Sequence, residues 1–161
     1  MRKINLLFPV LLAAVSTLGA QQLSTKKALN LAVAKQIVAA SEKEAMKNGW
    51  QMFITVVDDG GTIIYLERLD EAQLGSLEVS IEKAQTALKF KRPSKAFEDL
   101  VSGGRHNILR LPGALPVEGG IPLMADGKVI GAIGVSGGSS QQDAQVAQAG
   151  VTALENLLKG K

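Results

Sequence analysis

The sequence predicts an α+β fold, and three observations predict it. Segments with apolar residues at helical spacing lie at both ends and in the middle of the chain. Between them come pairs of β-rich runs joined by short Asp–Gly connections, and the full order is helix, two strands, two helices, two or three strands, helix. Neighbouring hairpins make an antiparallel sheet, here of about five strands, that helices cover on one or both faces.

Residues 1–20, MRKINLLFPVLLAAVSTLGA, precede this pattern. They combine a basic start at Arg2 and Lys3, an apolar stretch over residues 6–15 and small residues at Gly19 and Ala20. This is the layout of a secretory signal peptide, so cleavage is expected after Ala20 and export to the periplasm or the cell exterior is expected with it. About 141 residues remain, enough for a single domain over residues 21–161. Ser24 is placed to cap a helix over residues 24–48, where Leu29, Ala32, Val33, Ile37 and Ala40 fall three and four apart and Gly49 supplies the stop. Residues 52–57 and 62–66 read as strands around the turn DDGG at residues 58–61.

A second helix opens at Ser76, with Leu77, Ile81, Ala84 and Leu88 stacked, and ends before Pro93; Ser94 caps a shorter one that stops at Gly103 and Gly104. Residues 105–118 hold two prolines and no clear period, which predicts an ordered loop with room for a short strand. A second hairpin follows, residues 120–124 and 129–135 around a turn at 125–128, with Gly131 and Gly134 marking bulges or close backbone approach. The last helix runs from Ser140 to Leu158, showing a broad face of small residues.

Composition excludes several chemistries. Without Arg2 and Lys3 there are 16 basic and 15 acidic side chains, and the formal charge falls from +3 to +1, which gives no footing for a nucleic-acid partner. With no cysteine there is no disulfide, no thiolate nucleophile and no cysteine metal site. The single histidine, His106, rules out multi-histidine zinc and copper sites, yet one imidazole is enough to ligate a haem iron. No nucleophile has a base and orienter, and no carboxylate pair has a convincing spacing, which argues against an enzyme.

Four groups of residues remain as site candidates. The turn GVSGGSSQQD (134–143) exposes the N–H groups of Gly137, Gly138, Ser139 and Ser140 at the positive end of the last helix. It either receives an anion or only turns a strand into a helix, with Ser139 or Ser140 as cap. Lys83 lies on the apolar side of its helix and must snorkel or find an anion; with Arg68 it makes a clamp for a ligand carboxylate. Arg68 and Asp70 otherwise form a solvated pair with each other or with Asp58 and Asp59. His106 sits in the glycine-flanked GGRHN as iron ligand, as general acid or base, or as a plain surface residue.

In order, VVDDGGTIIYLERLD, SIEKAQTALKF and EGGIPLMADGKVIGAIGVSGG followed by QQD resemble the GlcG/HbpS-like family, which includes the C-terminal domain of PduO. The resemblance runs over about residues 23–157. It implies a profilin-like fold, homo-oligomers from dimers to octamers, haem as cofactor in several members, and haem or iron sensing beside a membrane-bound partner in secreted ones. It marks Arg68, Lys83, Thr86, Gly119, Gly120, Gly137 and Gly138 as matched positions; His106 as haem ligand does not come from it. The expectation is a secreted haem-binding protein, with Arg68 or Lys83 meeting a propionate. The alternatives are a binder of, or enzyme on, a small organic acid, and a structural oligomeric accessory protein.

Overall fold

The computed structural model describes residues 23–160. The proposed leader and its cleavage point therefore lie outside the described residues. Helix α1 covers Leu31–Lys47 and β1 and β2 cover Phe53–Asp58 and Ile63–Arg68; α2 covers Ser76–Phe90 and α3 Lys95–Ser102; β3, β4 and α4 cover Gly120–Ala125, Lys128–Ser136 and Ser140–Leu158. The sheet has four antiparallel strands in the order β2-β1-β4-β3, not about five. The segment read as an ordered loop with a short strand instead contains a 3-10 helix, His106–Arg110.

β1 and β4 lie at the centre of the sheet, paired from Phe53 opposite Ser136 to Asp58 opposite Gly131. Their side chains are mostly apolar on both faces because both faces are covered, with Thr55 and Ser136 the buried polar exceptions. On one face α1 and α4 pack together against the sheet, enclosing Ile37, Val38, Ile54, Val56, Ile133, Val135, Val146 and Leu154. On the other, α2 lies across β1, β4 and β3, with Val57, Ala84, Ala87 and Ala132 between.

The α2 face is packed unusually close. A Cβ on Gly134 would run into the Ser80 carbonyl oxygen and the Ala84 nitrogen of α2, and one on Gly120 into the Lys83 carbonyl. Glycine at these two strand positions lets the helix backbone rest directly on the sheet. The buried hydroxyls of Thr55 and Ser80, 2.8 Å apart, tie the two layers.

Both hairpin turns form where the sequence places them. Asp58 accepts the N–H groups of Gly60 and Thr62, each at 2.9 Å. Asp126 and Gly127 take φ of 50° and 72°, the left-handed pair that suits a two-residue hairpin. The first helix begins later than expected: Asn30, not Ser24, is the cap, accepting the Val33 N–H at 2.9 Å. Starting at Ser24 would have put Lys26 and Lys27 in the first turn, against the positive end of the helix dipole. Ser94 precedes α3 but does not cap it with its side chain. Its hydroxyl donates to the Val117 carbonyl at 2.6 Å and accepts the Gly120 N–H at 2.9 Å, pinning the loop to the start of β3.

Candidate functional site

The glycine turn and α2 meet at a buried ion pair. Lys83 Nζ lies 2.6 Å from Asp143 Oδ2 and 3.1 Å from the Val135 carbonyl oxygen, with the lysine only 1% exposed. The other carboxylate oxygen, Asp143 Oδ1, accepts the Gly138 N–H at 2.9 Å. The anion held by this turn is thus the chain's own aspartate. Ser139 and Gln142 complete a reciprocal cap, the Ser139 N–H donating to Gln142 Oε1 at 2.9 Å and the Gln142 N–H to Ser139 Oγ at 3.3 Å. Burial pushes the Asp143 carboxyl above the ordinary aspartate range, while the Lys83 ammonium and the amides of Gly138 and Gly137 pull it back.

Gly119 seals this clasp. Its φ is +124°, and a Cβ there would stand 2.9 Å from Asp143 Cβ and 3.0 Å from Lys83 Nζ. Thr86, one turn further along α2, accepts the Leu115 N–H at 2.8 Å and so fastens the loop of residues 111–118. Among the described residues every buried side-chain nitrogen and oxygen has a partner.

The sequence-derived candidates do not converge on one cavity. Arg68 lies over the Phe53 ring, 5.8 Å from its centroid, and lines a hollow of about 360 Å³ shared with Glu42, Glu67, Asp70 and Glu71. That acidic surrounding opposes a ligand carboxylate. Gly119 and Gly120 border a second hollow of about 360 Å³, beside Lys95 and Glu118. Gly137 and Gly138 border a third of about 350 Å³, beside Trp50 and Gln142. His106 is exposed at the start of the 3-10 helix, with no side-chain hydrogen bond to another described residue.

A larger cleft of about 790 Å³ opens between the two hairpin turns and the C-terminal end of α2. Lys26, Lys89, Lys91 and Lys128 line it, together with the apolar side chains of Leu88, Met124 and Val129. Its one carboxylate, Asp59, is paired with Lys26, which holds the acid below its ordinary range. Lys128 donates to the Thr25 carbonyl at 2.7 Å and Lys89 to Gln85 Oε1 at 3.2 Å. Sequence reasoning missed this cleft because its residues come from four separated segments; the pair Lys89 and Lys91 flanking Phe90 is the one local trace. Among the described residues no cluster of three or more metal-ligating side chains occurs, and no helix is long and apolar enough to cross a membrane.

Fold and site together define an α+β domain with a glycine-packed helix, a buried lysine–aspartate clasp and a basic cleft at one end of the sheet. The family model described as "Haem degrading protein HbpS-like" matches residues 29–152. Protein GlcG of Escherichia coli K12 is 42% identical over 114 residues, which span 71% of this chain and 85% of that protein. Among solved structures, a PduOC–haem complex is 30% identical with a TM-score of 0.72, covering 79% of this chain and 95% of that one. HbpS of Streptomyces reticuli, in a double-mutant form, is 29% identical with a TM-score of 0.75, covering 88% of this chain and 98% of that one. The chain belongs to the HbpS-like family.

Proposed function

We propose that this protein binds haem and serves in haem handling. The observation that carries the reading is the match to a relative whose solved structure is a haem complex, a match that spans almost all of that relative's chain. The side chains present fit the group. An exposed imidazole at His106 and an exposed thioether at Met124 are both iron ligands of the kind proteins use for haem, and the lysine-lined cleft falls within the usual size range of small-molecule sites. His106 is the ligand proposed from the sequence; Met124 is favoured by its place in the cleft. A bound haem would supply a redox-active iron, and the chain's own part is to hold, orient and shield it.

The reading includes export, which the layout of residues 1–20 supports. A haemin titration followed by absorbance tests it: a saturable, sharpened Soret band is expected, and a band that never saturates would refute haem binding. His106→Ala and Met124→Leu then assign the ligand by which of them alters the band.

A further inference from the structure

The cleft between the two hairpin turns is not explained by the fold. Four lysines line one cavity in a domain whose charges are nearly balanced, and its one carboxylate, Asp59, pairs with Lys26, while Lys89 and Lys128 meet only the neutral oxygens of Gln85 and Thr25. Like charges around a low-dielectric wall repel, and they focus a positive field into the cavity. Lys89 has a structural reason to be there, since a cation suits the C-terminal end of α2.

Lys91 has the opposite. It is the C-cap of α2, with φ 51° and ψ 39°, a left-handed position that glycine or asparagine fills with less strain. A strained lysine facing a cavity of like charge is unfavourable for the fold on both counts. Strain of this kind is found where a side chain is held for a ligand.

We propose that this cleft seats the two carboxylates of a porphyrin, with Lys26, Lys89, Lys91 and Lys128 meeting the anionic edge and Leu88, Met124 and Val129 meeting the apolar ring. The inference rests on the haem-binding reading and deepens it, by naming where the ligand lies and which part of it is recognised. It also moves the propionate contact away from Lys83, whose ammonium already has Asp143, and from Arg68, whose hollow is acidic.

The test uses metal-free protoporphyrin IX, followed by fluorescence, so that iron ligation does not contribute. Saturable binding to the wild type is expected, weakening as salt is raised. Lys89→Glu/Lys91→Glu should raise Kd by about tenfold or more, while Lys43→Glu/Lys159→Glu, an equal charge change on other surfaces, should not. Lys91→Gly separates binding from folding: it relieves the left-handed strain, so the thermal midpoint should rise while porphyrin affinity falls. The dimethyl ester of the porphyrin, with both carboxylates blocked, should lose affinity for the wild type and be indifferent to the lysine changes.

Protoporphyrin affinity unmoved by Lys89→Glu/Lys91→Glu in a folded variant would overturn the cleft assignment. Haemin binding that persisted in the same variant would leave the haem reading standing. Failure of the wild type to bind either porphyrin would remove both.

Discussion

Lys83→Met removes the ammonium from the buried clasp and keeps much of the side-chain stem. Asp143 is then left 2% exposed, with burial still pushing its pKa up and the main opposing influence gone. The folded variant avoids a buried, unpaired carboxylate by keeping that group protonated. With an unfolded aspartate near 3.9 and about 1.4 kcal/mol per pKa unit, holding the proton costs about 4 kcal/mol at pH 7 and about 1.5 kcal/mol at pH 5. The first figure agrees with the roughly 3–5 kcal/mol found when one partner of a buried pair is removed. The sign is that of a group whose folded pKa is raised: its contribution is present below the unfolded value and is lost as pH rises towards the folded one. Urea unfolding of wild type and variant across this range should show a deficit that widens with pH. Lys83→Met/Asp143→Asn should recover most of it and flatten the pH dependence, since the amide oxygen still accepts the Gly138 N–H. A deficit below about 1 kcal/mol at pH 7, or one that ignores pH, would refute the clasp as an isolated buried pair.

Gly134→Ala should destabilise by about 3 kcal/mol or more, because the new methyl meets α2 backbone rather than a movable side chain; an unchanged thermal midpoint would contradict the close seating of that helix. Asn30→Ala should cost about 1 kcal/mol while Ser24→Ala costs nothing measurable, both by chemical denaturation, since Asn30 alone caps α1. Thr86→Val strips the Leu115 N–H of its acceptor and should cost about 1–3 kcal/mol, with hydrogen exchange in residues 111–118 accelerating.

Much of the fold was legible because its signals are local. Asp58–Gly61 and Asp126–Gly127 are turn chemistry, and α2 and α4 begin at the residues their spacing indicates. Ser24 and Asn30 are both good cap residues, and only the later start keeps two lysines off the positive end of α1. The fifth strand was expected from a segment with Ile108, Leu115 and Val117 among prolines. Its shape is set instead by Ser94 and Thr86, whose partners lie 23 and 29 residues away. No periodicity records such ties. Lys83 on an apolar face had to snorkel or find an anion, and the sequence alone could not choose between solvent, a ligand and a carboxylate 60 residues away.

The matched motifs perform architecture. The Asp58 turn closes a hairpin, Lys83 and Gly119 close the clasp, Thr86 fastens a loop, and Gly120 and Gly134 admit a helix against the sheet. The turn at residues 134–143 has the chemistry of an anion cradle, and Asp143 fills it from within, so the likeness in these motifs carries the fold and not a ligand pocket. A ligand must then be met by side chains that the fold does not use. Four lysines line the cleft with one carboxylate among them, and one of the four, Lys91, is held in a backbone conformation that opposes the fold's own stability. There, the physical cost of a residue and its usefulness to a ligand point in opposite directions, and Lys91→Gly measures both at once.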